Sequence, residues 1–408
     1  MAELDAILSG RAVRSVYQPI VDLDHGDIVA YEALARGPDG SVWQRPQTLL
    51  DAAHAAGRLG ELDWICRAAA YHGAFAADLP PTLPLFVNME PVAARVDCPA
   101  DLRPVVERAD ERLQVVAEVT ERSVTDDPAG LLSALEGWRS DEHRMALDDV
   151  GAEAGSQAMM PLLRPDIIKL DRAVTRDLTT AHAVRVVEAA RAEAARTGAL
   201  ILAEGIETPD QLVAVRAVGA SLGQGWLLGR PGPLPGGLPE PTLLLPPGRP
   251  LCPGPRGATP FEVASARQPV ERASRRVMLE RSRMLEARGI AATEPTLLLT
   301  SFQEARRFDR ATRRRYEAIA AEGVFTAAFG RHMPPRPAGG VRGCDIADDD
   351  PVAGQWTVIV VGSRFTGGLF GREHDAGRYD VVMSHDRDLV LAAAATLARR
   401  LPPAEAPG

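Results

Sequence analysis

Lysine is almost absent from this chain. Of 46 basic residues in 408, Lys169 is the single lysine and the other 45 are arginine. The two interchange freely on solvated surfaces, so the bias reads as arginine-rich coding. They do not interchange where a proton must come off: a guanidinium stays charged up to pH ~12, whereas an amine is tuned by its surroundings. The surviving lysine is therefore a candidate for chemistry. Cysteine is scarce too. Cys66, Cys98, Cys252 and Cys344 lie far apart with no CxxC spacing, which argues against a structural zinc site and against a disulfide framework. No apolar run approaches the roughly 18 residues that span a bilayer, and the start, MAELDAILSGRAVRS, has neither the basic flank nor the hydrophobic core of a signal peptide. The expectation is a cytoplasmic protein without membrane insertion. The eight histidines show no metal-ligating spacing, and a net charge of −9 disfavours a surface built for a nucleic-acid polymer.

What is present is a normal globular composition, 46% hydrophobic and 25% charged. Residues 230–260 hold eleven prolines and six glycines, a composition that resists both helix and sheet and predicts a semi-rigid extended spacer. The chain divides accordingly into 1–230, a linker at 231–260, and a smaller mixed α/β domain at 261–402 with a leading helix. Before the linker, short Val/Ile/Leu runs alternate with alanine-rich helical stretches, the pattern of repeated βα units. Strands are expected near 15–22, 28–34, 84–89, 113–119, 144–149, 166–170, 199–204 and 220–227. Eight such units fit a (β/α)8 barrel, although the spacing alone also allows an open doubly wound sheet.

The polar residues favour the barrel. Strand after strand ends on a carboxylate, amide or amine: Gln18, Glu32, Asn88, Glu118, Asp148 and Asp149, Lys169, Glu204, Gln224. In a barrel the carboxyl ends open onto one face, so these groups would converge there. Taken singly, a strand-end carboxylate caps the following helix as readily as it binds an ion. Taken together, Glu32, Asn88, Glu118 and Asp148 form a hard oxygen set that suits Mg²⁺ or Mn²⁺ rather than zinc. Asp149 and Glu204 would complete a second site bridged by Asp148. Two ions ~3.5–4 Å apart clamp the attacking and leaving oxygens of a phosphodiester. Beside those cations Lys169 is expected to have a depressed pKa and to orient or deprotonate water.

The same stretches resemble, in order and spacing, the EAL-domain cyclic di-GMP phosphodiesterases: YQPIVDL (17–23), YEALAR (31–36), VNMEP (87–91), AEVTER (117–122), ALDDVG (146–151), DIIKLD (166–171), LAEGIET (202–208) and GQGWLLGRP (223–231). Eight ordered motifs over about residues 10–232 are far more specific than any one. The resemblance implies hydrolysis of cyclic di-GMP to linear pGpG with two Mg²⁺ or Mn²⁺ ions. It implies metal ligation by Glu32, Asn88, Glu118, Asp148 and Asp149, with Glu204 completing the two-metal centre and Lys169 activating water. Gln18, Leu34, Arg36 and Gln224 match substrate-side positions, with Arg36 the phosphate partner. Glu207 is a supporting position near substrate, and Glu121 matches the glutamate that props the loop after Asp149. One departure stands out. Where the family usually reads FGTGYSS, this chain has VGAEAGS (150–156). Degeneration of that loop in the family accompanies weak catalysis, which leaves a cyclic di-GMP receptor as the alternative. Family barrels commonly dimerise, so a homodimer is an expectation that the altered loop weakens.

Beyond the linker, residues 261–289 read as an arginine-rich, solvated connecting helix. Strands are expected at 296–302, 323–330, 355–363, 366–371 and 378–384, with helices at 303–321 and 387–400. LLLTSFQEARRFDRATRRRYEAIA (297–320), AAFG (327–330) and DPVAGQWTVIVVG (350–362) resemble the DICT domain, a sensory module. The resemblance implies an unknown ligand or protein partner for this part of the chain. Phe302, Gln303, Tyr316 and Trp356 are its candidate pocket residues, against the plainer reading that aromatics beside strands form core.

Overall fold

The computed structural model describes residues 2–139, 143–152, 156–241, 243–248, 254–290, 294–375 and 377–404. Eight strands close into a barrel in chain order: β1 (Arg14–Asp22), β2 (Ile28–Arg36), β3 (Leu85–Asn88), β4 (Val115–Thr120), β5 (Arg144–Val150), β6 (Ile167–Leu170), β7 (Leu200–Ala203) and β8 (Leu222–Gly223). The open-sheet alternative is thereby set aside. One feature departs from the expected all-parallel barrel: β1 runs antiparallel to both β2 and β8, and the remaining neighbours are parallel. The connection 23–27 is too short for a crossover, which needs roughly a dozen residues, so it can only turn back as a hairpin. Gly26 supplies the left-handed residue at φ 82°. The carboxyl end of β1 therefore faces away from the other seven, and Gln18 stands mid-strand, register-paired with Glu32.

The barrel interior is layered. One residue from each strand packs into a single apolar cluster: Ile20, Ala30, Phe86, Val116, Ala146, Ile167, Leu202 and Leu222. Side chains two positions apart on a strand share a face. Moving two residues along each strand, and two back on the reversed β1, gives Gln18, Glu32, Asn88, Glu118, Asp148, Lys169, Glu204 and Gln224. The apolar floor thus fixes a polar layer directly above it.

The proline-rich segment does more than bridge. Leu245 is buried in the same cluster beneath the floor, and Leu243 packs beside it. Arg144 donates from Nη2 to the Leu245 carbonyl at 2.8 Å and from Nε to that of Pro246 at 2.5 Å. Where a semi-rigid extended spacer was expected, Leu245, with the half-buried Leu243 beside it, covers the barrel base, because leucines next to an open apolar end gain by burial. Residues 242 and 249–253, with Cys252, lie outside the described residues.

The rest of the chain forms a seven-stranded mixed sheet: β9 (Glu271–Ser274), β10 (Leu297–Glu304), β11 (Phe325–Arg331), β12 (Val341–Asp345), β13 (Gln355–Val361), β14 (Thr366–Asp375) and β15 (Arg378–Ser384). Their order is β12-β11-β10-β13-β14-β15-β9. The expected single helix over 261–289 is instead helix Pro260–Ser265, strand β9 and helix Arg275–Ile290. Pro269 interrupts any continuous helix. The later helix is not a solvated connector, for it buries Met278, Leu285 and Glu286 against the sheet. β10 runs on to Glu304, and helix Arg310–Ala321 starts only after Asp309 caps it, accepting from Thr312 N–H at 2.8 Å. Tyr316 is fully buried, with Phe302 and Phe308 edge-on to it, and Trp356 packs on the same cluster. The core reading of these aromatics holds. Gln303 is also buried, at φ 63°, and Arg307 donates to its side-chain amide oxygen Oε1.

The opposite sheet face, covered by helices Pro260–Ser265 and Arg387–Ala398, meets the barrel. One hydrophobic cluster runs without a break from Met159, Met160, Leu162 and Leu163 into Phe329, Cys344 and Leu391.

Candidate metal-dependent active site

The polar layer encloses the lysine. Lys169 is fully buried, with Nζ 2.6 Å from Glu118 Oε1, 2.8 Å from Asp148 Oδ1, 2.8 Å from Glu204 Oε1 and 3.4 Å from Glu32 Oε1. Asp149 adjoins them. Consecutive strand residues normally point to opposite faces, yet Asp148 and Asp149 line one cavity. The register shift of β5 between Leu147 and Val150 and the left-handed φ of 56° at Asp149 turn the second carboxylate inward. Short acidic side chains tolerate that conformation better than most.

Five carboxylates gather round one ammonium here, more than a single cation can neutralise. Burial raises the Glu118 carboxyl well above its usual range, and Glu32 and Asp148 push it further against the opposing pull of Lys169. Glu204 is likewise raised, by burial first and then by Asp148 and Glu32. Asp149 is raised to about 6 by burial and by Asp148. For Lys169 burial alone would lower the pKa, but Asp148, Glu118, Glu204 and Glu32 together raise it well above the ordinary amine value. The depression expected from the sequence thus requires cations to neutralise those carboxylates first.

The donor set fits hard divalent ions. Oxygens of Glu32, Glu118 and Asp148 lie within 4.8 Å of one another, as do those of Asp148, Asp149 and Glu204. The two groups share Asp148. Glu118 Oε1 and Asp148 Oδ1 are buried without a hydrogen bond of good geometry, and only the nearby ammonium compensates them. Asn88 stands next to Glu118, donating from Nδ2 to Oε2 at 3.3 Å. These buried, under-coordinated carboxylate oxygens are what a cation would satisfy.

Other expected residues take distinct places. Gln224 donates to Glu32 Oε2 at 2.6 Å and orients it, while Gln18 donates to the Gly229 carbonyl at 3.0 Å. Gly225 follows at φ 156°, where a Cβ would sit 2.2 Å from the Ile206 backbone, so only glycine allows this approach. Gln18, Leu34 and Glu207 line the cavity of about 510 Å³ above the cluster, Glu207 on its exposed rim. Arg36 shares the face of β2 with Glu32 and Leu34 but lines an adjoining open groove with Arg45. Glu121 does not line the cavity. It is buried behind it, accepting from Gly151 N–H at 3.0 Å and from the Gln157 amide. Residues 153–155 of the altered loop lie outside the described residues.

Asp63, Glu90 and Trp226 are among the cavity residues that the sequence reading did not single out. Asp63, on helix Leu59–Ala76, is paired with Arg67 at 2.8 Å and accepts from Glu90 N–H at 2.8 Å. Burial, with Asp63 nearby, raises the Glu90 carboxyl to about 7. Trp226 is an exposed aromatic at the mouth, with Arg230 stacked 4.4 Å from its ring centre. The i,i+4 spacing of Asp63 and Arg67 was a usable signal. Glu90 and Trp226 sat inside the VNMEP and GQGWLLGRP stretches but past the ends of strands β3 and β8.

A family model described as the EAL domain matches residues 2–231. Among curated proteins, the chain is 32% identical over 226 residues to the uncharacterised protein y4lL of Sinorhizobium fredii, covering 54% of this chain and 26% of that protein. It is 30% identical over 245 residues to PdeB of Escherichia coli K12, named a probable cyclic di-GMP phosphodiesterase, covering 55% and 43%. The chain spans less than half the length of these relatives. A solved structure of Klebsiella pneumoniae BlrP1 with manganese and cyclic di-GMP is similar at TM-score 0.47 and 26% identity, covering 55% of this chain and 57% of that one.

Proposed function

This chain belongs to the EAL-domain family, and from that premise we propose that it hydrolyses one phosphodiester bond of cyclic di-GMP, releasing linear pGpG, with two Mg²⁺ or Mn²⁺ ions. The observation that carries the proposal is the lysine-centred carboxylate layer at the barrel mouth. Glu32, Asn88, Glu118 and Asp148 would hold one ion, and Asp148, Asp149 and Glu204 the other. Such a pair, when bound, polarises a phosphodiester and lowers the pKa of a water. The protein's own residues then act on proton and substrate. Lys169, once bound ions neutralise its carboxylates, would either orient the attacking water by donating from its ammonium or, after losing a proton to become the neutral amine, accept the proton of that water. Gln224 keeps Glu32 turned toward the cluster. Leu34 and Gln18 bound the nucleotide's path, and Arg36, reaching in from the adjoining groove, would pair with a phosphate. Glu121 keeps the Asp149 turn in place.

We divide the chain into a catalytic barrel at 1–230, a covering linker at 231–260 and a regulatory domain at 261–402, acting in the cytoplasm. The DICT-like motifs and the continuous packing of sheet on barrel support a sensory role for the last part. A second reading, a cyclic di-GMP receptor without useful turnover, is favoured by the VGAEAGS loop alone. One experiment separates them: chelator-stripped protein is given cyclic di-GMP, then Mn²⁺ or Mg²⁺, and products are followed by chromatography. The enzyme reading expects pGpG only after metal is added. Binding without pGpG supports the receptor, and neither binding nor product removes both.

A further inference from the structure

The turn that carries Asp148 and Asp149 is held from outside its own sheet. Gly151 N–H donates to Glu121 Oε2 at 3.0 Å, the Gln157 amide donates to Glu121 Oε1, and the Gly151 carbonyl meets His182 Nε2 at 2.8 Å. Glu121 is the first residue of helix Glu121–Asp126. Six residues span only about 9 Å and cannot satisfy their own terminal carbonyls. So short a helix is placed by tertiary contacts at its two ends rather than by its own stability. Glu121 is one such contact at its amino end, Val124 is buried in the core, and at the carboxyl end the second domain adds bonds to those that Asp127 makes within the barrel. Arg342 on edge strand β12 donates from Nη1 to the Thr125 carbonyl and from Nη2 to that of Asp126 at 3.1 Å. Its guanidinium also reaches the Pro402 carbonyl, and Ala404 N–H joins at Asp126 O at 2.6 Å.

We propose that Arg342 is a positioning residue for the metal cluster: by fixing the carboxyl end of helix Glu121–Asp126 it sets Glu121 against the backbone of the Asp148–Asp149 turn. The second domain thereby acts on the barrel site through one short helix. A guanidinium suits this place because its planar fork reaches several carbonyls at once, which an ammonium cannot match. The inference rests on the metal-site reading above.

The test uses the full-length chain and two readouts, hydrogen exchange at the Gly151 amide and Mn²⁺ affinity by titration. Arg342→Ala should speed Gly151 exchange and weaken Mn²⁺ binding by roughly fivefold or more, the lower range of coupling between sites. In a Glu121→Ala background the same substitution should add nothing, because both act through one contact. Arg399→Gln breaks a different contact between the two domains, the ion pair with Glu136, and should leave both readouts unchanged. Should Arg342→Ala fail to fold, Arg342→Lys, which keeps the charge but loses the fork, should give intermediate exchange. Unchanged Gly151 exchange in the Arg342 variants, independent effects in the double variant, or the same loosening from Arg399→Gln would each overturn the proposal. Absence of Mn²⁺ binding by the unsubstituted chain would defeat the metal reading instead, while exchange at Gly151 would still judge the clamp.

Discussion

Lys169 is the only amine side chain in the protein, and it lies where four carboxylates converge with a fifth beside them. That arrangement makes the cation-free cluster a cost that grows with pH. Asp149, raised from 3.8 to about 6, still holds its proton in the folded chain where the unfolded chain has lost it. Its contribution is therefore favourable at low pH, falls as pH rises from about 4, and is lost above about 6. Glu118 and Glu204, also raised, extend the loss upward. Divalent ions held by these carboxylates would remove the cost. Mn²⁺ should consequently raise the melting temperature more at pH 8 than at pH 5.5, as read by scanning fluorimetry. An equal or larger shift at pH 5.5 would contradict the cluster's role as a cation site. Lys169 was legible from composition alone, because an arginine-rich code had removed every competing lysine. Glu90 and Trp226 were not, since their approach to the cavity depends on how loops fold over the strand ends.

The β5 turn concentrates several constraints in few residues. Gly151 sits at φ 101°, and a Cβ there would lie 2.5 Å from Val174 Cγ2. Gly151→Ala should therefore destabilise the protein by about 1–3 kcal/mol, combining left-handed strain with overpacking. It should also weaken Mn²⁺ binding, because the same backbone carries Asp149. Denaturant titration with and without Mn²⁺ measures both effects. A neutral substitution would mean that the turn is looser than its contacts imply. The strand positions in the barrel were readable because short Val/Ile/Leu runs alternate with alanine-rich helical stretches and carry a polar residue at or near their ends. The direction of β1 was not read, although the five-residue connection 23–27 already ruled out a crossover. Strand β12, five residues with a central glycine, carries too little hydrophobic pattern to be recognised.

Barrel and sheet share one hydrophobic cluster, and Leu245 of the connecting segment closes the barrel floor. Shared burial couples their unfolding, since exposing either part strips apolar surface from the other. Calorimetry of the full chain should show one cooperative transition, and two well-separated transitions would contradict the coupling. None of this was visible in the sequence, which marked the proline-rich stretch as a spacer. Proline and glycine content reports what a segment cannot form, not what its leucines rest against. The docking of Arg342 on backbone carbonyls likewise leaves no sequence pattern, because any residue at 125 and 126 presents the same acceptors. The most direct measurement on the whole protein is the initial rate of pGpG release from cyclic di-GMP in Mn²⁺, compared between the unsubstituted chain and Lys169→Met, with nucleotide binding followed in parallel. Turnover by the first and a loss of roughly a hundredfold or more in the second, with binding retained, is the predicted result. Equal rates in the two, or binding by the unsubstituted chain with no pGpG at all, would contradict the lysine-centred phosphodiesterase.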